Sequence, residues 1–207
     1  MVQSQLLPNK ITDDRVSDAM AAIPRERFVP NALGGVAYAD RDIEVAPGRH
    51  LVKPMVFARL LQAAEISGTD VVLDVGCATG YSTAVLAQLA GTVVALESDE
   101  ELAARAEANL AELDIANAAV VVGPLKECCP DQGPYDVVFV NGSLPEIPRA
   151  MPRRLVDGGR LVAVVDTDGV GRATLVRRHG EMTSTQILFD AIVPPLPDFA
   201  VARGFVF

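Results

Sequence analysis

Two acidic residues and two glycines stand at a spacing that suits a nucleoside ligand. Asp74 lies near the end of an apolar run, Gly76 and Gly80 follow it, and Glu97 ends the next apolar run. A glycine directly after a buried strand permits a tight turn and a close approach of ligand to backbone. An acid at the end of the next strand can accept hydrogen bonds from both ribose hydroxyls. This pattern indicates a nucleoside or nucleotide site.

Three interpretations of this turn compete. A nicotinamide dinucleotide site, as in a dehydrogenase, would need G-x-G-x-x-G with a pyrophosphate on the helix N-terminus, whereas here the glycines are spaced G-x-x-x-G. Asp74 beside the turn would repel a pyrophosphate but suits the cationic end of S-adenosylmethionine (SAM). A glycine turn that serves only the fold is the third interpretation. The succession of strand, acid, turn, helix, strand and second acid favours SAM as the cofactor.

Strand and helix patterns alternate around this turn. Apolar runs predict strands at residues 71–75, 92–96, 119–122, 137–140 and 161–165, and helical periodicity predicts helices at 55–66, 81–89 and 99–113. Valine runs without polar alternation are typical of parallel strands covered on both faces. Two later runs, at residues 173–177 and 185–189, predict an antiparallel hairpin. The predicted fold is therefore α/β and Rossmann-like: a doubly wound, mostly parallel seven-stranded sheet with an antiparallel C-terminal strand and an N-terminal helical extension.

The first 53 residues differ from the rest of the chain. A short helix at residues 12–23 is followed by chain interrupted by proline and glycine, which we interpret as irregular. We expect residues 1–53 to form an extension that packs on a SAM-binding domain of residues 54–207, the two making one globular unit.

Composition and charge exclude several classes of protein. Half of the 207 residues are hydrophobic and 22% are charged, which excludes a disordered chain. The net charge of −9 makes nucleic acid a poor partner, and no apolar run approaches the ~20 residues that cross a bilayer. The three cysteines, Cys77, Cys128 and Cys129, lack metal-ligand spacing, so we expect no metal and a reducing, cytoplasmic location.

Five segments resemble protein-L-isoaspartate O-methyltransferases, a branch of the class I SAM-dependent enzymes. The segments are Ile-Pro-Arg-Glu-Arg-Phe-Val-Pro at 23–30, Ala-Tyr-Ala-Asp at 37–40, the strand and turn at 72–81, Pro-Tyr-Asp at 134–136 and Pro-Glu-Ile-Pro at 145–148. The resemblance implies SAM-dependent O-methylation of a carboxylate of damaged aspartyl residues, a protein repair reaction, or of a related peptide or small-molecule acceptor. It also implies that the cofactor is held by Asp74, Gly76, Cys77, Ala78 and Gly80 on the methionine side, Glu97 on the ribose, and Gly123, Pro124 and Leu125 against the adenine.

The chain departs from this family at the place where the methyl group is transferred. The family pattern Thr-Ile-Ser is replaced by His50, Leu51 and Val52, and Pro124 replaces an acid. Val52 thus marks the position of the family's catalytic serine without being reactive itself. The alternative to an active enzyme is a degenerate relative that binds SAM, or only keeps the fold, and acts as a binding module.

His50 is the one ionisable side chain among the three replacements. An imidazole there could act as a base for a hydroxyl, amine or thiol acceptor, which a carboxylate would not need. The competing interpretation is an exposed histidine in an irregular segment. The neighbouring Arg49 and Lys53 we interpret as solvated charges, with binding of an anionic substrate group as the alternative.

Overall fold

The computed structural model describes residue 1, residues 11–128 and residues 132–199. Within that part of the chain the strands are β1 (Ile43–Ala46), β2 (Arg49–Leu51), β3 (Val71–Val75), β4 (Thr92–Glu97), β5 (Ala118–Val122), β6 (Tyr135–Leu144), β7 (Leu155–Thr167), β8 (Val170–His179) and β9 (Met182–Asp190). The α-helices are α1 (Asp14–Ala22), α2 (Pro54–Ala64), α3 (Tyr81–Leu89), α4 (Glu100–Glu112) and α5 (Ala150–Arg153). Cys129 lies outside the described residues.

Seven of these strands form one sheet in the order β5-β4-β3-β6-β7-β8-β9. Strands β3 to β7 pair in parallel, and β8 pairs antiparallel with both of its neighbours. The strand order reverses beside β3, because the chain first proceeds outward to β5 and then returns to place β6 on the other side. Ligands of such sheets bind beyond the carboxyl ends of the strands at this reversal. The predicted sheet is confirmed, and it directs attention to the ends of β3, β4 and β6.

Both faces of the central strands β3, β4 and β6 are buried, as their valine runs predict, whereas the edge strand β5 stays partly exposed despite its valines. Val72 of β3 packs in the cluster that also holds α1, α2 and α3, while Leu73 and Val75 pack in a second cluster on the opposite face. Successive side chains of a strand point to opposite faces, so a strand covered twice must be apolar at nearly every position. The exception in β3 is Asp74, which is fully buried.

The structure corrects the sequence interpretation in two places. Strands β6 and β7 run well beyond the predicted residues 137–140 and 161–165, since irregular pairing carries them past polar and glycine positions. The segment before α2 is not irregular: β1 and β2 pair as a hairpin after two 3₁₀ helices, Arg25–Phe28 and Asn31–Val36. The domain division at residue 53 stays a prediction.

Two kinds of feature are absent from the described ranges. None of the helices there has the length and apolar character needed to cross a membrane. No three His, Cys, Asp or Glu side chains in the same ranges lie close enough together to hold a metal ion.

Candidate active site

The turn between β3 and α3 depends on its glycines. Gly76 has a φ of +76° and Gly80 a φ of +91°, a region that residues with a Cβ rarely adopt. A Cβ on Gly80 would lie 3.1 Å from the Cβ of Ala106 in α4, so the glycine also lets the two helices approach. Ala78 occupies the same left-handed region with φ +50°, at a cost of roughly 1–2 kcal/mol.

Asp74 is fully buried behind this turn. Its Oδ2 accepts hydrogen bonds of 2.7 Å from the hydroxyls of Ser82 and Thr83, and its Oδ1 accepts one from the amide of Asn141. Burial raises the pKa of Asp74 to about 6, against the pull of these three hydrogen bonds. Asn141 directly follows the predicted strand at residues 137–140, a position from which the sequence alone allows either a contact with substrate or a simple turn.

Glu97 ends β4 and is fully buried beside the turn. Its Oε1 accepts from the backbone N–H groups of Ser98 and Asp99 at 2.8 and 3.2 Å. Its Oε2 accepts from the backbone N–H of Ala78 at 2.7 Å and forms an ion pair with Arg49. The structure thus brings the two predicted acids to one turn, where the negative charge of Glu97 also raises the pKa of Asp74.

Arg49 is not a solvated charge, and that interpretation is wrong. It lies in β2, it is 6% exposed, and its guanidinium reaches across the turn to Glu97. His50, next in the strand, is half-buried rather than exposed, and its Nδ1 is buried with no hydrogen-bond partner among the described residues. Lys53 is half-buried, with Nζ 3.9 Å from a carboxylate oxygen of Asp42.

The N-terminal segment holds this part of the site in place. Arg25, fully buried, donates from Nη2 to the carbonyl of Val52 at 2.9 Å and from Nε to the carbonyl of Ala37 at 2.8 Å. Thr79 of the turn donates its hydroxyl to the carbonyl of Phe28 at 2.7 Å. The motif at residues 23–30 therefore fixes both the segment at Val52, directly after β2, and the turn that follows β3.

The predicted site residues fall into two groups. His50, Val52, Gly76 and Cys77 line one small cavity together with Asn141. Gly123 lies beside Glu97, since its N–H donates to the Glu97 carbonyl at 2.9 Å; Pro124 is exposed and Leu125 fully buried. Cys77 is a buried thiol, and burial raises its pKa well above the ordinary value, which argues against a reactive thiolate.

The space at the turn is small because two side chains fill it. The cavity against Gly76 and Cys77 measures about 10 Å³, far below the ~300–1,000 Å³ of ordinary ligand pockets. Leu196, carried back to β6 by the segment after β9, places its Cδ2 2.9 Å from where a Cβ of Gly76 would be. Arg49 Nη2 lies 3.4 Å from the same point. Two larger cavities, about 420 and 370 Å³, lie on the outer part of the sheet at β8 and β9 and are lined by none of the turn residues.

The hydrogen-bonding groups at the turn suit SAM, but the cavity there is too small to hold it. A buried carboxylate at the end of β4 matches a ribose diol, and the left-handed Gly76 gives a ligand access to the backbone. The obstructing groups are the far ends of two side chains, Arg49 and Leu196, rather than backbone. Binding therefore requires those two side chains to move and leaves the sheet as it is.

Comparison with solved structures defines the class of fold. The chain superimposes with a TM-score of 0.80 on a protein-L-isoaspartate O-methyltransferase at 22% identity, over 95% of this chain and 66% of that one, so it spans just under two thirds of that protein. It matches a β-aspartate methyltransferase from Plasmodium falciparum, crystallised with S-adenosyl-L-homocysteine, with a TM-score of 0.78, 19% identity and coverage of 90% and 92%. At these identities the likeness defines a Rossmann-like methyltransferase fold.

Sequence comparison defines the family. The family model for protein-L-isoaspartate(D-aspartate) O-methyltransferase (PCMT) matches residues 2–196. Among curated relatives, a protein-L-isoaspartate O-methyltransferase from Koribacter versatilis is 38% identical over 95% of this chain and 88% of its own length. Another from Methanoculleus marisnigri is 37% identical over 96% and 91%. The chain belongs to the protein-L-isoaspartate(D-aspartate) O-methyltransferase family.

Proposed function

We propose that this chain transfers a methyl group from SAM to the carboxylate of isoaspartyl residues in damaged polypeptides. The observation that carries the proposal is the buried carboxylate of Glu97, held toward the β3–α3 turn by the N–H of Ala78 at 2.7 Å, in a chain of this family. The curated relatives from Koribacter versatilis and Methanoculleus marisnigri carry the name of that activity.

Each predicted cofactor residue has a defined part in this proposal. Glu97 accepts the ribose hydroxyls, and Gly76 lets the methionine side approach the backbone. Cys77, Ala78 and Gly80 shape the turn, Asp74 braces it through Ser82, Thr83 and Asn141, and the segment at residues 123–125 forms the wall for the adenine. Bound there, SAM supplies an electrophilic methyl group.

The proposed acceptor needs no catalytic base. A carboxylate with a pKa near 4 is already ionised at neutral pH, so positioning and exclusion of water are the main contributions of the protein. The side chains that close the site are apolar and buried: Val52 is 7% exposed, Phe57 2% and Leu196 4%. Loss of a serine hydroxyl at Val52 removes an orienting contact, at about 1–3 kcal/mol, and lowers the rate without abolishing it.

His50 takes the place of a polar group that faces the acceptor. His50 lines the cavity that Val52 and Asn141 also line, and its buried Nδ1 has no hydrogen-bond partner among the described residues. With a carboxylate acceptor the imidazole orients the substrate by hydrogen bonding and removes no proton. His50→Gln therefore lowers kcat/KM about 10-fold with an isoaspartyl peptide. With a hydroxyl, amine or thiol acceptor, kcat/KM would fall about 10²–10⁴-fold, because the variant lacks the base that such an acceptor needs.

The test is methyl transfer from labelled SAM to an isoaspartyl peptide, with the same peptide containing ordinary aspartate as the substrate control. We expect a base-labile methyl ester on the first peptide only. Glu97→Gln weakens cofactor binding about 10- to 100-fold, because a hydrogen bond to a charged group contributes roughly 1.5–3 kcal/mol. Glu101→Gln is the matched control, since Glu101 lies exposed in the first turn of α4.

Two outcomes contradict the proposal. Tight binding of S-adenosylhomocysteine without ester formation on any isoaspartyl peptide identifies a degenerate binding module. No binding of S-adenosylhomocysteine by folded protein removes the methyltransferase activity altogether.

The cellular location of the enzyme and the kind of partner it acts on are also proposals. We place the enzyme in the cytoplasm, on the basis of its cysteine content and its protein-repair reaction. The expected partner is a peptide or small-molecule methyl acceptor rather than nucleic acid, since the chain carries a net charge of −9.

A further inference from the structure

Arg49 is buried at the cofactor turn with its hydrogen-bonding capacity only partly used. Its Nη2 pairs with Glu97, while its Nη1 is buried and finds no partner in the described part of the chain. Sequence reasoning assigned this residue no role at the turn, and the resemblance to the family implies none.

Glu97 cannot bind a ribose while it keeps all of its present partners. A carboxylate offers about four acceptor sites, two on each oxygen. Ser98 and Asp99 occupy the two on Oε1, and Ala78 and Arg49 the two on Oε2. Three of these four donors are backbone N–H groups fixed by the turn and by the start of α4. The side chain of Arg49 is the one that can leave.

A guanidinium that leaves Glu97 needs another anion. Arg49 is 6% exposed and lies against Gly76, and a buried charge stripped of its partner is strongly unfavourable. Asp74 already accepts from Ser82, Thr83 and Asn141, which fill three of its about four acceptor sites and leave too few for a bidentate guanidinium. A ligand that takes Glu97 with a diol therefore binds best when it also brings a carboxylate.

We propose that Arg49 exchanges partners when the cofactor binds, leaving Glu97 to the ribose and pairing with the α-carboxylate of the methionine moiety. This inference rests on the proposed function, because it takes SAM as the ligand. It makes Arg49 a cofactor-binding and specificity-determining residue: the site accepts a nucleoside that carries a carboxylate and discriminates against one that does not. A planar guanidinium suits bidentate contact with a carboxylate.

The test compares two ligands by calorimetry. One is S-adenosylhomocysteine; the other is its decarboxylated form, which keeps the adenine, ribose, thioether and ammonium. Wild type should prefer the carboxylate-bearing ligand. In Arg49→Gln no ion pair has to be broken for either ligand, so the decarboxylated ligand should bind about 10-fold more tightly. S-adenosylhomocysteine has the same gain but loses its charged contact, worth about 100-fold, and should bind about 10-fold more weakly.

Controls separate this exchange from simpler effects. Arg41→Gln makes the same charge change at an exposed position and should alter neither affinity. Arg49→Met should give the same pair of opposite changes. It replaces Arg49→Gln if that variant does not fold, and thermal unfolding shows whether each variant is folded.

Opposite changes in the two affinities support the exchange. Equal weakening of both ligands would make Arg49 merely structural, and equal tightening would make it a simple obstruction; either result overturns the inference, as do two unchanged affinities. If wild type binds S-adenosylhomocysteine but the ratio of the two ligand affinities is the same in the variants, the inference fails and the proposed function stands. If folded wild type binds neither ligand, the proposed function fails with it.

Discussion

Asp74 should make the stability of this protein fall as the pH rises through the mildly acidic range. Its pKa is raised from 3.8 to about 6 in the folded state, chiefly by burial, despite hydrogen bonds from Thr83, Ser82 and Asn141. A raised pKa means that the folded state binds the proton more tightly than the unfolded state. The stabilisation is therefore fully present below about pH 4 and is lost as the pH rises to about 6.

The size of the effect follows from the two pKa values. The difference between 3.8 and about 6, at roughly 1.4 kcal/mol per pKa unit, is about 3 kcal/mol. Asp74→Asn keeps the shape of the side chain and removes the titration. The free energy of unfolding of wild type minus that of Asp74→Asn should therefore fall by about 2–3 kcal/mol between pH 4 and pH 7, because the unfolded carboxyl is already partly ionised at pH 4.

The difference between the two proteins must be used, because other acids act in the opposite direction. Hydrogen bonds from Arg15 and Tyr38 lower the pKa values of Asp13 and Glu26, so their contributions grow as the pH rises. Urea unfolding followed by circular dichroism is suitable, since the chain has no tryptophan. Asp18→Asn, at an exposed position of α1, corrects for the loss of one negative charge. A difference that stays constant across this range, or that grows with pH, would refute the reasoning.

Three further substitutions test the packing and the chemistry of the site, and Gly68→Ala serves as the control for the first. Gly80→Ala should lower the free energy of unfolding by about 2–4 kcal/mol, because φ is +91° and a Cβ would lie 3.1 Å from that of Ala106. Gly68→Ala, with open space around it, should change it by less than about 0.5 kcal/mol in the same urea titration. Arg25→Met should cost about 2–4 kcal/mol, since it leaves two buried carbonyls without donors; a thermal scan with no drop in Tm would contradict this. Val52→Ser should raise ester formation on an isoaspartyl peptide about 10-fold by restoring an orienting hydroxyl, and an unchanged kcat would exclude that role.

Much of the fold could be predicted because its signals are local. The bounds of β3 and α3 agree with the sequence prediction, since an unbroken apolar run ends in a glycine turn and a helical pattern begins directly after it. The N-cap of α4 at Asp99 and the hairpin of β8 and β9 likewise follow from neighbouring residues. The strand ends of β6 and β7 were predicted too short, because pairing with neighbouring strands extends them through polar and glycine residues.

The sequence by itself determined the order of strands and helices, the glycine turn and the two acids that flank it, because periodicity, glycine and strand-end positions act over a few residues. Only the tertiary structure decided which side chains meet there. Arg49 reaches Glu97 across 48 positions of the chain, and Asn141 reaches Asp74 across 67. The segment after β9 brings Leu196 onto Gly76. Such contacts depend on the order of the strands in the sheet and on the path by which the chain returns to one edge. A local sequence pattern determines neither.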